Sequence, residues 1–489
     1  MERERLRLAL LALTQLIVAL DYNIVYVALP DIRDALDFSP RSVQWVVSAY
    51  AVGLGGLLLF GGRAVDRLGP RRMFTTGLAL YGVASLAGGL SPGAGALVAA
   101  RAVQGVGGAL LTPATLTLIY RGFAEGPARN RALGAWGMAG SAGLAAGSLL
   151  GGVLTNYLGW EWVFFVNVPL ALGCALAGPR LLPADPDRTT RGRTSGGLAP
   201  AGRAADGSTT GGRPAGGFDV PGAVLATAGA ALLVFGLASG PEAGWVSVRG
   251  LGALAAGLVL LALLLVVEAS TADPLIPLRL ARGRNLATTM VVIAVFQGTL
   301  GGGFYILTTY LQPVLGYSSL RAGLTFLPLT LVCMVAAVWV TPALLGRWGI
   351  RTTLAVSTVG TGAGIAVMVA GTSADGGFWT LLPGSVVWGL FGGVAFVTLF
   401  ASAGSGVAPH EQGVASGLAS TAKEVGGALG LAVFVAIVTG TPDQLHGLHV
   451  AGWTAAAVTA AGGLFSLVLK PARPAPDPEH SPALEGASA

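Results

Sequence analysis

The sequence predicts an all-α integral membrane protein with fourteen transmembrane helices in a 6+2+6 order and both termini cytoplasmic. Three observations carry that prediction. Charged residues make up 11% of the 489 positions and hydrophobic residues 53%, so a soluble domain of this composition could not cover its own surface. The apolar residues gather into about fourteen runs, each close to the ~20 residues a helix needs to span the hydrocarbon core. The basic residues favour alternate gaps. With the N-terminus inside, 23 of the 29 Lys and Arg fall in cytoplasmic segments, only Arg33, Arg41, Arg249 and Arg321 fall in external loops, and Arg101 and Lys423 lie within runs. This bias fixes the orientation and, with both ends inside, requires an even number of spans.

Taken in order, residues 1–182 hold the first six-helix bundle, with runs near 6–29, 42–61, 72–91, 95–118, 133–156 and 162–182. The first run is not a cleaved signal, because it carries Asp21 and continues to Pro30 without a small-residue cleavage site. Residues 183–216 are rich in Gly, Ala, Arg, Ser and Thr, lack an apolar period, and read as a flexible cytoplasmic linker. Two additional helices occupy 217–268, near 217–238 and 248–268. The second six-helix bundle fills 286–470, with runs near 286–311, 322–345, 352–371, 378–401, 412–439 and 449–469; the Pro-rich residues 471–489 read as a disordered cytoplasmic tail. The halves echo each other. A shift of 280 residues lays Arg67-Leu-Gly69-Pro-Arg71 on Arg347-Trp-Gly349-Ile-Arg351, with Gly346 standing where the first copy has Asp66, and Gln104-Gly105-Val-Gly107-Gly108 has a rough counterpart in Trp388-Gly389-Leu-Phe-Gly392-Gly393. Such an echo is the trace of a duplicated half.

Charged residues at membrane depth mark the candidate site. Asp21 lies about 22 Å from the cytoplasmic end of the first helix and Arg101 about 27 Å from that end of the fourth, so the two could meet. A guanidinium does not deprotonate, so beside Asp21 it would lower the acid's proton affinity in one conformation and release it in another. The plainer alternatives are a helix-packing role for Asp21 and a fixed ion pair or carbonyl contacts for Arg101. Glu424, roughly 18 Å into the thirteenth helix, is the second candidate acid; Lys423 beside it points about 100° away, so the two should not face one site directly. Tyr22, Asn23, Tyr26, Gln104, Phe296, Gln297, Phe304, Tyr305 and Gln312 are candidates for lining a substrate cavity, although aromatics at helical spacing also serve packing. Glycines 140, 143, 147 and 151 stack on one face of the fifth helix and permit close approach of a neighbour.

Several of these stretches carry a resemblance. Gly62-Arg-Ala-Val-Asp66-Arg67-Leu-Gly69-Pro-Arg71-Arg72 closely resembles the loop between helices 2 and 3 of the major facilitator superfamily. The resemblance implies a tight turn at the glycine and a cytoplasmic latch made by the Asp66/Arg67 pair. Leu20-Asp21-Tyr22-Asn23-Ile-Val-Tyr26-Val-Ala-Leu-Pro30 is similar to the first-helix motif of the fourteen-helix drug:proton antiporters, with Asn23 and Tyr26 in place of Thr and Asn. Arg101-Ala-Val-Gln104-Gly105-Val-Gly107 resembles the superfamily's fourth-helix motif. Gly143-x-x-x-Gly147-Ser148-x-x-Gly151-Gly152 resembles the antiporter motif, except that Ser148 replaces its proline and leaves the kink in question. Trp160-Glu161-Trp162-Val-Phe-Phe-Val-Asn167-Val-Pro169 is close to the stretch that follows in that family, and its tryptophans also suit an interfacial belt. In the second half, Tyr310-Leu-Gln312-Pro and Gly413-x-x-x-Gly417 with Thr421-Ala-Lys423-Glu424 look like the same branch.

The resemblance implies the EmrB/QacA type of transporter: a proton-coupled efflux antiporter for drugs or secondary metabolites, working by alternating access in a bacterial cytoplasmic (inner) membrane. The expected partners are a small amphiphilic or cationic organic substrate, protons and lipid, with the chain acting as a monomer. No cofactor and no nucleic-acid partner are expected. A proton-coupled uptake symporter of the same fold is the alternative, and a non-transporting sensor or scaffold a more distant one. Nothing points to an enzyme. There is no phosphate-binding Gly-rich loop ending in Lys-Ser/Thr and no Ser-His-Asp constellation; the four histidines lack metal-ligand spacing, and Cys174 and Cys333 sit separately in apolar runs.

Overall fold

A computed structural model describes residues 2–39, 42–43, 45–185, 220–243, 247–271, 278–281, 283–317 and 319–470. The tail 471–489 and linker residues 186–216 lie outside the described residues. Every regular element among the described residues is helical. The first bundle contains α1 (Glu2–Ala35), α2 (Trp45–Leu68), α3 (Pro70–Gly89), α4 (Ala94–Gly122), α5 (Pro127–Leu158) and α6 (Trp162–Leu181). Next come α7 (Val220–Ala243) and α8 (Ala253–Ser270). The second bundle contains α9 (Arg284–Thr309), α10 (Arg321–Ala370), α11 (Phe378–Gly404), α12 (Gln412–Thr439) and α13 (Gln444–Phe465). In α10, Gly349 takes φ 70° and breaks the run into two arms. Eleven helices among the described residues are long and apolar enough to cross a membrane.

Sequence chemistry sets the turns. Gly69 (φ 103°) and Gly126 (φ 106°) adopt the left-handed backbone that only glycine takes readily, and each is followed by a proline at the first helical position, where its fixed φ and missing N–H do no harm. The tight turn of the Gly62–Arg72 stretch is therefore made at Gly69. Gly62 lies inside α2.

Glycine also sets how closely the helices pack. Gly105 of α4 backs onto the Tyr50 carbonyl of α2, and Gly389 of α11 backs onto the Leu329 carbonyl of the first arm of α10, the corresponding contact in the other half. On α5, a Cβ at Gly143 or Gly147 would come 2.5 Å from the carbonyl oxygen of Leu16 or Leu20 in α1, and Gly151 sits similarly against Ile24 and Val27. Gly152, grouped with them from the sequence, is exposed and meets nothing within 4 Å, so it is not part of that seam. Outside the bundles, α7 packs on α2 through Val234 against Gly55 and a stacked Trp45–Phe235 pair with centroids 5.4 Å apart, and α8 covers α7 through Leu261 against Gly229.

Candidate functional site and family membership

Two polar assemblies stand out in this apolar frame, one deep in the first bundle and one where the two halves close on each other. In the first, Asp21 of α1 is completely buried. Its Oδ2 lies 2.7 Å from Arg101 Nη1, and its Oδ1 accepts hydrogen bonds from Gln104 Nε2 (2.9 Å) and Asn167 Nδ2 (2.8 Å). Arg101 is held in turn. Its Nε donates to the Val46 carbonyl at 2.9 Å, its Nη1 also donates to Gln104 Oε1 at 2.6 Å, and its guanidinium lies 4.5 Å over the Tyr50 ring. Gln104 donates further to Ser85 Oγ at 2.9 Å. A carboxylate and a guanidinium in so apolar a place are tolerable only with this degree of mutual satisfaction.

Five helices thus supply the cluster: α1, α2, α3, α4 and α6. Both contacts weighed for Arg101 are present together, the ion pair with Asp21 and the backbone carbonyl bond. Gln104 is fully buried within the cluster instead of lining a cavity. Ser85, Tyr50 and Asn167 were not singled out from the sequence. Asn167 was legible only as a letter in the Trp160–Pro169 stretch, and Ser85 and Tyr50 carried no signal.

The second assembly surrounds Asp66, near the end of α2. Its Oδ1 and Oδ2 accept the backbone N–H groups of Gly413 (2.9 Å) and Val414 (2.8 Å), donors in the first turn of α12 that have no acceptor within the helix. Arg121 of α4 places Nη2 3.1 Å from Asp66 Oδ1 and 2.5 Å from the Pro409 carbonyl. A Cβ on Gly62 would strike the Gly413 carbonyl oxygen, and one on Gly413 the Gly62 oxygen, so this contact between halves needs both glycines. Tyr120 Oη donates to the Phe400 carbonyl (2.7 Å) and Ser405 Oγ to Glu125 Oε1 (3.1 Å), closing the same end. Trp136 stacks on Phe396 deeper in the same seam.

Arg121, which the motif did not single out, supplies a guanidinium on Asp66. Arg71 and Arg72 contribute through the main chain: their N–H groups donate to Asp185 Oδ1 (3.0 Å) and Oδ2 (2.9 Å). Asp185 was assigned to the start of the flexible linker. It instead caps α3 from beyond α6, in the space that a side chain at Gly69 would fill. A further ion pair, Arg279 with Glu411, lies beside this end on the approach to α12.

The candidate cavity residues divide. Tyr22 and Tyr26 are 43% and 46% exposed with ring centroids 5.8 Å apart. Asn23 is tied to α5 by donating to the Leu144 carbonyl at 2.9 Å. Phe296 is only 2% exposed and belongs to the packed core, so it lines no cavity in this conformation. Phe304 packs between Phe326 and Trp388, and Tyr305 lies half-buried against the same core. Gln312 is half-buried in the wide turn after α9, and Gln297 is half-buried with its Oε1 enclosed and unpartnered. Glu424 and Lys423 form an ion pair of 2.8 Å, their long side chains bending together despite the angle between their Cα–Cβ bonds.

Comparison with known proteins places the chain. Residues 11–431 match the family described as Major Facilitator Superfamily. The chain is 37% identical over 435 residues to the puromycin resistance protein pur8 of Streptomyces alboniger, covering 88% of this chain and 81% of that one. It is 37% identical over 456 residues to the cephamycin export protein CmcT of Amycolatopsis lactamdurans, covering 90% and 86%. Among solved structures, the human organic anion transporter MFSD10 (TETRAN) superposes with a TM-score of 0.66 at 15% identity, over 95% of this chain and 99% of that one, a likeness of fold. The chain therefore belongs to the major facilitator superfamily, whose members are multi-pass membrane transporters and not enzymes.

Proposed function

We propose that this protein exports an antibiotic-like or secondary-metabolite molecule across the bacterial cytoplasmic membrane in exchange for protons, by alternating access. The observation that carries the reading is the sealed carboxylate of Asp21 in contact with Arg101. An intramembrane acid held by a guanidinium that moves relative to it is a proton-binding site whose affinity depends on conformation. The relatives support export over uptake, since two are named for puromycin resistance and for cephamycin export.

In the proposed cycle the Asp66 end is cytoplasmic, as the distribution of arginines argues, and this conformation is closed on that side. Protonating Asp21 from outside would weaken its hold on Arg101, Gln104 and Asn167 together. The first bundle could then rock against the second, releasing the Gly413 and Val414 amides from Asp66 and admitting substrate from within. Substrate binding and proton release inside would complete the exchange. The fourteen-span count belongs to the same proposal. Counting the two arms of α10 separately and adding the shorter or less apolar α3 and α7 to the eleven long apolar helices gives fourteen, an even number that would leave both termini on one side, the cytoplasmic side if the arginine distribution sets it.

Everted membrane vesicles from cells producing the protein test the reading. With an acid interior they should take up puromycin and release it when nigericin dissipates the pH gradient. Uptake indifferent to nigericin would contradict proton coupling, and movement in the opposite sense would make the protein an importer.

A further inference from the structure

We infer that Glu411 is a second anion for the N-terminus of α12: Arg279 holds it away while Asp66 occupies the amides there, and Glu411 takes them over when the halves part. This rests on the alternating-access reading above, since it supplies what replaces Asp66 in the open conformation.

The free amides at the start of a helix ordinarily bond to the side chain at the capping position, which accepts from the second or third helical residue. In α12 the capping position is Glu411, and those residues are Gly413 and Val414. Glu411 makes no such bond. Asp66 takes both amides from the other half, at 2.9 and 2.8 Å. The Glu411 carboxylate is turned instead to Arg279, in the short helix Leu278–Ala281 between α8 and α9. Glu411 is buried and Arg279 exposed, so the arginine reaches in from the surface. Leu280 packs against the core and fixes the segment that carries it. Two carboxylates cannot share the same pair of N–H donors, so Asp66 and Glu411 must alternate.

The backbone around Glu411 shows what has to move. Pro409–Glu411 form a single 3-10 turn, with the Glu411 N–H donating to the Ala408 carbonyl at 2.9 Å, and Glu411 has ψ 0°. A capping residue takes an extended backbone, so Glu411 reaches its own helix only when this turn unwinds. Arg121 holds the turn in place here: the same Nη2 that lies 3.1 Å from Asp66 donates to the Pro409 carbonyl at 2.5 Å. Parting the halves carries Asp66 and Arg121 away together, which frees the amides and the turn in one step. The N-terminus of α12 then faces a negative charge in both conformations. Arg279 is thus a positioning residue, acting on the gate through Glu411.

Distances between spin labels test the exchange. Arg131→Cys and Arg351→Cys place labels on exposed residues near this end, one in each half, in purified full-length protein with Cys174 and Cys333 replaced. The background carries Asp66→Asn, which keeps one acceptor and should populate both conformations, so a shift either way is visible. Arg279→Gln should move the closed-to-open ratio about tenfold toward open, because the closed form leaves the buried Glu411 without its cation. Glu411→Gln should move it about tenfold toward closed, the worth of one helix cap, because the open form loses its cap while the closed form loses only a pair with an exposed arginine. The double variant should follow Glu411→Gln, and Arg279→Lys should stay near the parent. An ion pair that only braced the closed end would make both single variants open. That result, or no shift from either variant in protein whose melting temperature shows it folded, would overturn the inference. The distances need neither substrate nor gradient, so a failure of the transport reading would appear in vesicles without altering them.

Discussion

Asp66→Ala should open the end of the molecule that Asp66 closes. Its carboxylate accepts two backbone N–H bonds from α12, at 2.9 and 2.8 Å, and faces Arg121 at 3.1 Å. Hydrogen bonds to a charged group contribute about 1.5–3 kcal/mol each, but the freed amides recover water when the end opens, so a net loss of about 3 kcal/mol is expected. At about 1.4 kcal/mol per decade, this moves the closed-to-open ratio roughly 100-fold. Asp66→Asn should fall between, because its amide oxygen can still accept one of the two bonds. The readout is the distance between spin labels placed at Glu125→Cys and Ser405→Cys, whose native side chains meet at 3.1 Å across the seam, in a background with Cys174 and Cys333 replaced. The parent should give a short distance and Asp66→Ala a population shifted to longer ones. An Asp66→Ala distribution matching the parent would refute the argument that this carboxylate holds the end shut.

Three further outcomes follow from the same contacts. Gly147→Leu should abolish folding or transport, because its Cβ would lie 2.5 Å from the Leu20 carbonyl, whereas Gly152→Leu five residues on should leave melting temperature and transport near the parent's. Arg101→Lys should lose most transport despite keeping the charge: one ammonium cannot serve the Val46 carbonyl, Asp21 and Gln104 from the separated nitrogens of a planar guanidinium, and a vesicle transport assay checks this. Asp185→Ala should loosen the turn at Gly69 and weaken closure less than Asp66→Ala does, by about 1–2 kcal/mol as for other lost helix caps, read with the same spin labels.

Depth along the membrane was legible in the sequence, and direction around each helix mostly was not. Counting residues from the helix ends put Asp21 and Arg101 at similar depth, and the structure has them 2.7 Å apart. Phe296 and Gln104 were expected to line a cavity, but both are buried in packed interior. An apolar run that is hydrophobic all round gives no stripe by which to tell cavity, core and lipid faces apart. The glycines of α5 are an exception, because their period defines a face; Gly152 falls one residue off it and is exposed. Contacts to backbone groups are equally hidden. Asp66 was picked out as a latch, but the Gly413 and Val414 amides that it accepts are main-chain groups, which leave no mark of their own in a sequence. Asp185 was hidden for a different reason: it sits in a stretch whose composition reads as linker, and only its meeting with α3 gives it a role.

The most direct test of the account is transport by purified protein in proteoliposomes under an imposed pH gradient, comparing wild type with Asp21→Asn. Puromycin should move against the proton flow through the wild-type protein and stop when the gradient is collapsed. Asp21→Asn should insert and reconstitute yet show no gradient-driven transport, since an amide cannot take up and release a proton. Full gradient-driven transport by Asp21→Asn would contradict the account and move the coupling site elsewhere in the molecule.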